Sequence, residues 1–391
     1  MDKSVVAAPP LWTRAQKPRT GALRIGVDAP SYGLEKVSYA LAPEGVHYTK
    51  LSSLPIHRLA RGEGPLRVCR ALIGPRQDLV HTFNHIIVNR PFVVSFESEL
   101  PRFLGDPSDA TLRLGFRLLA ARRCRAVLAL SEAAAHAARL RMEALGVTGI
   151  ADKMQVFRGG ITVPESLSVP HPDKAHGPIH AAFVGSNSIR KGIEATLHAA
   201  RALRDAGVDV RLTAICRSQS RTYCAPMEHD GDAIIADLAA EPWVTHYPAL
   251  PNAEVLRLLH RAHLLFFPSI DESLGWVAVE AGLCGAARAV SNSFALPELV
   301  SHGEDGWIAP LPLRPDRRWQ LLATEAGAEA WAKTQADLGH ALARDILASG
   351  STPAQLTEMG QAARRSMTAL YGRANAARRL RALYLSATMR H

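Results

Sequence analysis

The chain has 391 residues, which is too long for one ordinary hydrophobic core, so its length predicts two domains. Apolar residues make up 47% of it and aromatic residues 6%, which is typical of a globular protein and excludes a largely disordered chain. No apolar run approaches the roughly 18 residues of a membrane span, and the first residues lack a signal-peptide pattern. Five scattered cysteines without any Cys-x-x-Cys pair indicate free buried thiols. We therefore expect a cytoplasmic protein, with association at the inner face of the cell membrane left open.

The net charge of +10 is concentrated in the first part of the chain. Residues 1–165 hold 23 Lys and Arg against 14 Asp and Glu, a balance of +9. Such a field favours an anionic partner, either an acidic acceptor or an acidic membrane surface. No RNA-binding signature or zinc-finger spacing accompanies the charge, so we predict no nucleic-acid partner. A solvated basic surface without a partner is the alternative.

Short apolar runs alternate with longer amphipathic runs, a pattern that indicates βαβ units and parallel sheets. In the first half, the predicted strands are Leu23–Val27, Leu79–Thr82, Phe92–Ser95, Ala126–Leu130 and Met154–Phe157. The helices predicted there are Gly33–Leu41, Ala110–Arg122 and Glu132–Leu145. In the second half, the predicted strands are Ile179–Val184, Arg211–Ile215, Leu264–Phe267, Ala287–Val290 and Trp307–Ala309. The helices predicted there are Gly192–Ala206, Ala253–Arg261, Gly275–Leu283 and a final one near Asn375–Met389.

These elements predict an α/β protein with two Rossmann-like, doubly wound parallel-sheet domains facing a central cleft. The first domain covers residues 1–165, and a segment rich in proline, serine and histidine at 166–178 is the linker. Residues 179–372 form the second domain, and residues 373–391 form a C-terminal helix that is free to cross back to the first. Open parallel sheets bind ligands outside the carboxyl ends of their strands, so the loops at those ends are the candidate sites.

The helix predicted at 110–122 allows two interpretations. Leu112, Phe116 and Leu119 recur at helical spacing beside Arg113 and Arg117. An amphipathic helix of this kind either lies on a bilayer surface or packs its apolar face into a core, and core packing is the commoner outcome.

The strongest chemical signal lies in residues 264–283, LLFFPSIDESLGWVAVEAGL. A strand, a polar loop and a helix follow one another here, and the start of a helix is a ready anion site. Glu272 precedes the helix and Glu280 lies eight residues later, a rise of about 12 Å along a helix. That separation excludes a proton-sharing carboxylate pair and suits the two ends of an extended ligand, such as a nucleotide diphosphate-sugar.

This segment resembles the donor-site signature of retaining family-four glycosyltransferases, which have the GT-B fold. The resemblance implies that Glu272 holds the sugar, that Glu280 binds the ribose, and that the backbone around the helix start binds hexose and phosphate. The donor-binding residues of that loop are then Ser273, Leu274, Gly275 and Trp276.

A second segment, AFVGSNSIRKG at 182–192, agrees with the resemblance. Gly185 forms the turn after a strand, and Lys191 neutralises the diphosphate leaving group. The family usually has a second cation where this chain has Ser186, and Arg190 is the candidate that supplies the missing charge. Gly33, in a strand-to-helix turn, would let the backbone approach the donor. Glu97 occupies a position where relatives often have histidine, and it either faces the sugar or pairs with a basic surface residue.

The resemblance implies a retaining, metal-independent hexosyl transfer without a cofactor, from a nucleotide-sugar to a glycan or lipid-linked acceptor of a bacterial cell-surface polysaccharide or glycolipid. A non-catalytic nucleotide-sugar-binding homologue and a nucleotide-sugar epimerase are the alternatives. His81 and His85 are each expected to be core or surface residues more often than catalytic ones. Asp230 and Asp232 superficially match a metal-binding Asp-x-Asp, but they follow a polar loop, so we predict a surface role and no metal site.

Overall fold

The computed structural model describes residues 21–28, 37–54, 68–103, 107–169, 171, 174, 176–225, 227–324, 327–350 and 352–389. It divides into two compact units. The first unit contains the described residues up to Thr162 and those from Leu370 onward, and the second runs from Val163 to Ala369. No helix in the described part of the chain is long and apolar enough to cross a membrane. All five cysteines are buried thiols.

The first unit contains a six-stranded parallel sheet and a small three-stranded one. Its strands are β1 (Leu23–Val27), β2 (Val46–Lys50), β3 (Ser52–Leu54), β4 (Cys69–Ile73), β5 (Leu79–Phe83), β6 (Ile86–Ile87), β7 (Phe92–Phe96), β8 (Cys124–Ala129) and β9 (Met154–Val156). The large sheet has the order β2-β1-β5-β7-β8-β9, and the small sheet has the order β3-β4-β6. Two helices follow strands of the large sheet, α1 (Asp109–Ala120) and α2 (Glu132–Ala144). Ser108 and Ser131 cap them by accepting hydrogen bonds from the backbone of Thr111 and Ala134.

The burial of helix α1 decides whether its apolar face lies on a bilayer or packs into a core. Leu112, Phe116 and Leu119 are all buried within the first unit. Core packing is therefore the correct interpretation, and this face is not available to a bilayer. Of the helix predicted at Gly33–Leu41, residues 29–36 lie outside the described part of the chain, and Tyr39–Leu41 forms a short 3-10 turn.

The second unit contains one six-stranded parallel sheet flanked by helices. Its strands are β10 (Ile179–Asn187), β11 (Val210–Arg217), β12 (Val244–Tyr247), β13 (Leu264–Phe267), β14 (Ala287–Ser291) and β15 (Gly306–Ala309). Their order is β12-β11-β10-β13-β14-β15. The helices up to residue 350 are α3 (Ile193–Asp205), α4 (Gly231–Ala240), α5 (Asn252–Arg261), α6 (Trp276–Leu283) and α7 (Ala328–Ala348). They pack apolar side chains against the sheet, and α3 also packs along α7.

Two more helices complete the chain, α8 (Pro353–Tyr371) and α9 (Arg373–Met389). Helix α9 belongs to the first unit, where Ala376, Leu380 and Tyr384 join the same hydrophobic core as Ile25 and Val27. The carboxyl-terminal segment therefore stabilises a sheet whose strands all precede it by more than 200 residues in the sequence.

Candidate active site

The candidate site lies at the carboxyl ends of two neighbouring strands of the second unit. β10 pairs with β11 on one side and with β13 on the other, so the chain changes direction across the sheet between β10 and β13. Doubly wound sheets bind ligands at this kind of switch point. The two loops that begin here run from Ser188 to Gly192 and from Pro268 to Gly275.

Two glycines allow these loops to meet. A side chain at Gly185 would lie 2.6 Å from Cγ of Lys191, so glycine leaves the space through which the lysine side chain passes. Gly192 has a φ of 82°, and a Cβ there would lie 2.3 Å from the carbonyl oxygen of Pro268. Only glycine combines this left-handed conformation with so close a backbone approach. Ile270 also donates a backbone hydrogen bond to the Arg190 carbonyl at 2.9 Å, which joins the two loops directly.

Lys191, Arg190 and Glu272 form an ion cluster between the loops. The Lys191 ammonium is hydrogen-bonded to Oε2 of Glu272, and Nη1 of Arg190 lies 3.7 Å from the same oxygen. Arg190 also donates to the Asp271 carbonyl at 2.6 Å. All three side chains are at most one-fifth exposed, so water screens their charges only weakly. Two cations thus share one carboxylate, which leaves a positive charge for an anionic ligand.

Burial dominates the electrostatics of Lys191. Loss of solvent lowers the pKa of its ammonium, while the neighbouring Glu272 carboxylate opposes that effect. The ammonium also lies over the ring of Phe267, 4.7 Å from the centroid, where the ring quadrupole favours a cation. An anionic ligand beside Lys191 would further stabilise its charged form.

Helix α6 presents its start to the same region. Gly275, at its N-cap, has a φ of 89°, and no side chain caps the helix. No acidic side chain lies in its first turn either. The first backbone N–H groups of a helix have no partner within the helix, so this end favours an anion. Ser273 and Trp276 are half-buried there, and Leu274 is buried beneath them.

Glu280 lies one turn further along α6 and is half-buried. Its Oε1 accepts a hydrogen bond of 3.4 Å from the side chain of Asn252, at the start of α5. Glu272 and Glu280 therefore lie before and within one short helix of eight residues, which separates the ion cluster from the second carboxylate.

A second layer of side chains, which the sequence pattern did not reveal, supports the cluster. The hydroxyl of Tyr223 donates to Oδ2 of Asp271 at 2.6 Å, and Nη1 of Arg318 lies 3.7 Å from that oxygen. The guanidinium carbon of Arg190 lies 5.9 Å from the Tyr223 ring centroid. Asp271 adjoins Glu272, so the motif could have predicted it. Tyr223 and Arg318 come from distant loops, and no sequence spacing relates them to the motif.

The remaining predicted residues are not all brought to this cluster. Ser186 is exposed at the end of β10. Glu97 belongs to the first unit, where it is half-buried after β7. Gly33 lies outside the described residues. His81 is fully buried in the first unit, and His85 hydrogen-bonds Asp28 at 2.8 Å.

Asp230 and Asp232 have local structural roles. Asp230 caps α4 by accepting a hydrogen bond of 2.8 Å from the backbone of Ala233, and Asp232 accepts one of 2.6 Å from Ser218. Both residues are exposed, as the sequence predicted. Within the described ranges, no group of three or more His, Cys, Asp or Glu side chains is arranged to hold a metal ion.

Two six-stranded doubly wound sheets define the GT-B class of fold, and comparison with solved structures agrees. The chain is similar to sucrose-phosphate synthase from Thermosynechococcus elongatus, with a TM-score of 0.56 and 18% identity over 93% of this chain and 98% of that one. It is also similar to Anabaena HepE, solved in complex with UDP, with a TM-score of 0.56 and 15% identity over 92% and 98% of the two chains.

Sequence comparison finds a family similarity within the second unit. Residues 169–317, which hold the whole ion cluster and α6, match the family Glycosyl transferases group 1. Amylovoran biosynthesis glycosyltransferase AmsK of Erwinia amylovora is 27% identical over 41% of this chain and 39% of its own length. D-inositol 3-phosphate glycosyltransferase of Pseudarthrobacter chlorophenolicus is 28% identical over 34% and 31%. The chain thus spans only about a third to two fifths of the length of these curated relatives, and the similarity to the glycosyltransferase group 1 family lies in residues 169–317.

Proposed function

We propose that the protein is a retaining, metal-independent glycosyltransferase that takes a hexose from a nucleotide diphosphate-sugar. The observation that carries the proposal is the buried pair of cations, Lys191 and Arg190, on the Glu272 carboxylate beside the uncapped start of α6. A diphosphate matches this arrangement because it offers the negative charge that two cations and a helix start attract.

The site would act mainly by electrostatics. When the bond between the sugar and the diphosphate breaks, negative charge develops on the leaving phosphate, and Lys191 with Arg190 stabilises it. Glu272 then holds the transferred sugar, and Glu280 accepts hydrogen bonds from the ribose. The acceptor hydroxyl attacks the anomeric carbon on the face that the diphosphate leaves, and a phosphate oxygen takes its proton. This route requires no separate general base, in keeping with a cluster in which the carboxylate is already bound to cations.

We assign donor binding mainly to the second unit and acceptor selection to the first, with Gly33 as a candidate donor contact and Glu97 as a candidate catalytic residue. We propose a glycan or a lipid-linked saccharide as the acceptor; one curated relative is named for amylovoran biosynthesis and another for D-inositol 3-phosphate. The positive balance of residues 1–165 favours an anionic acceptor or an acidic membrane surface.

Thermal-shift measurements with UDP-, GDP-, ADP- and dTDP-glucose test donor binding, because a ligand that binds the native state raises its melting temperature. We expect one nucleotide to stabilise the protein and the Lys191→Ala variant to lose most of that shift. HepE was solved with UDP-glucose, so the uridine donor is the first probe. If no nucleotide-sugar shifts the wild-type melting temperature at millimolar concentration, the proposal is wrong.

Turnover is tested separately from binding. The donor that binds is incubated with the protein, and released nucleoside diphosphate is measured with and without glycan acceptors. NMR of the product then gives the anomeric configuration, which we expect to match that of the donor. Binding without any release of nucleoside diphosphate would favour the non-catalytic homologue, and conversion of the donor sugar without acceptor would favour an epimerase.

A further inference from the structure

A basic cavity of about 570 Å³ lies on one face of the sheet of the second unit, and none of its lining residues belongs to the loops of the candidate active site. One wall is the polar face of β11 and β12, where Thr213 and Thr245 are paired neighbours. The other wall is helix α5. The floor is formed by His180 and Ala181, near the start of β10, and by His263, which directly precedes β13. It therefore lies toward the amino ends of these strands.

Helix α5 turns a charged stripe toward this cavity. Glu254, Arg257 and Arg261 occupy successive turns of the helix and all line the cavity. Positions three and four apart lie on the same side of a helix, so both guanidinium groups reach the same space. Val255 and Leu259, on the other side, are buried.

Lys174 adds a third cation from a buried position. The residue lines the cavity and is only 4% exposed. The ammonium donates one hydrogen bond, to the carbonyl of Gly285 at 2.7 Å, although it has three donors. Burial, with a smaller effect from the cation of Arg364, lowers the pKa of this ammonium to about 7. Burial of a cation is costly, and a bound anion would reduce that cost.

The backbone carbonyl of Lys174 contacts two side chains of the second unit. Nε2 of His263 lies 2.7 Å from the Lys174 carbonyl, and the Thr357 hydroxyl donates to the same oxygen at 3.0 Å. Nδ1 of His263 accepts from the backbone of His180 at 2.9 Å, so Nε2 carries the proton and donates. The rings of His180 and His263 stack with their centroids 5.9 Å apart. The cavity therefore has a preorganised floor and is more than a gap between mobile side chains.

We propose that this cavity, lined by Lys174, Arg257 and Arg261, binds a ligand bearing a phosphate group. Among the described residues that line the cavity, these three basic residues face one carboxylate, Glu254, so the charge of this lining favours an anion. Arginine suits phosphate because its donors form a planar fork, and the threonine hydroxyls of the sheet wall supply further donors. The phosphate is carried either by a soluble molecule or by a lipid headgroup. This site is independent of the proposed donor site.

The test measures inorganic pyrophosphate binding by calorimetry, in metal-free buffer, to the full chain. Because the candidate active site also attracts diphosphate, Lys191→Gln is used as the background, which weakens binding at that site, and only binding that depends on Arg257 and Arg261 is assigned to the basic cavity. We expect Arg257→Gln with Arg261→Gln in that background to weaken binding by at least about tenfold, since hydrogen bonds to charged groups are lost. The matched control, Lys333→Gln with Arg344→Gln, removes the same charge from exposed positions on α7 and should leave the affinity unchanged.

Vesicle sedimentation distinguishes the two sources of phosphate. Vesicles of phosphatidylglycerol and of phosphatidylcholine are compared for the same variants at matched ionic strength. Binding to phosphatidylglycerol that depends on Arg257 and Arg261 supports a lipid headgroup, and arginine-dependent pyrophosphate binding without vesicle binding supports a soluble ligand. The proposal is overturned if neither probe binds, or if the arginine variants bind both probes as the control does. The thermal-shift screen of donors does not depend on these arginines, so a negative result in that screen would not change the interpretation of the pyrophosphate and vesicle experiments.

Discussion

At the scale of single residues, Lys191 and Glu280 lie at opposite ends of the candidate donor site and should have separable effects. Lys191→Ala removes a buried cation that stabilises charge formed on the leaving group, so we expect kcat to fall by about 100-fold or more. Glu280→Gln removes a charged acceptor for hydroxyl groups, so we expect the donor KM to rise about tenfold with a smaller change in kcat. Steady-state kinetics with saturating acceptor measures both. Equal changes in kcat and KM for the two variants would contradict the division of roles.

A second residue-scale prediction concerns a buried ion pair in the same unit. Arg288 is fully buried on β14, and its Nη2 lies 2.7 Å from Oδ1 of Asp305. That oxygen also accepts from the backbone of Ser301 at 2.8 Å. Asp305→Ala would leave a guanidinium uncompensated in the core, which should cost about 3–5 kcal/mol of unfolding free energy.

Urea denaturation followed by tryptophan fluorescence measures this loss, because Trp307 and Trp319 are buried in the same core. Asp345→Ala is the control, since its partner Arg344 is mostly exposed and the pair should contribute little. If the two substitutions cost the same, the buried pair has no special importance for stability.

At the scale of elements, the sequence predicted most strands of the two six-stranded sheets, including the edge strands β9 and β15. Strands β1 and β13 were predicted at their observed bounds: β13 is the continuous apolar run LLFF, and β1 has apolar Leu, Ile and Val at alternate positions. Strands β2 and β12 were not predicted, because each is a sheet edge with a polar, partly exposed sequence. Helix α4 was missed as well, since the preceding polar loop offered no clear start.

The candidate site was also predictable only in part from the sequence. The residues of the two motifs, Lys191, Arg190 and Glu272, could be named from spacing, and the structure brings them together. Tyr223 and Arg318 could not, because their contact with Asp271 depends on the paths of two irregular loops. The direct pairing of Lys191 with Glu272 was also not expected from the sequence, which assigned these residues to different parts of the donor.

The close approach of two loops gives a prediction at this scale. Gly192→Ala would place a Cβ 2.3 Å from the Pro268 carbonyl oxygen and would strain a left-handed backbone. Gly207 has a similar φ of 87° but has no atom within 4 Å of a Cβ built there, so Gly207→Ala is a matched control for strain alone. We expect Gly207→Ala to cost about 1–2 kcal/mol and Gly192→Ala at least about 2 kcal/mol more.

Activity separates the two glycine variants further. Displacement of Pro268 would move the loop that carries Glu272 away from Lys191, so Gly192→Ala should lose most donor binding at temperatures where it remains folded. Gly207→Ala should keep it. Donor affinity measured by calorimetry at 15 °C, with circular dichroism to verify folding, decides between them. Full donor binding by Gly192→Ala would show that the loops tolerate separation.

At the scale of the whole molecule, the hydrophobic core inside each unit is built differently. The core of the first unit includes helix α9, and a buried polar network connects that helix to the sheet. Nδ1 of His81 lies 2.7 Å from the Tyr384 hydroxyl, and its Nε2 lies 2.8 Å from Oγ of Ser95. The Tyr384 and Tyr48 hydroxyls are 3.2 Å apart. Truncation before Arg373 would remove Tyr384 and expose this network, so the first unit should not fold stably without its last helix.

The same network makes the first unit sensitive to acid. Burial lowers the pKa of His81 to about 3, whereas an unfolded histidine titrates near 6.5. The unfolded state therefore binds more protons below about pH 6.5. Stability is fully present above that pH and is lost progressively as the pH falls toward the folded-state pKa. Between pH 6.5 and 4 this residue alone should cost about 3 kcal/mol of unfolding free energy.

His81→Gln isolates this contribution, because glutamine keeps hydrogen-bonding groups but does not titrate. Hydrogen exchange with mass spectrometry, at a series of urea concentrations between pH 4 and 7, follows peptides of β1 and β5 for the first unit and of β10 and β13 for the second. We expect the variant to be less stable at pH 7 but to have a flatter pH dependence in β1 and β5 only. His263→Gln is the reciprocal control, since burial lowers the pKa of His263 to about 4 in the second unit. If His81→Gln leaves the acid dependence of β1 and β5 unchanged, other groups must control the acid unfolding of the first unit.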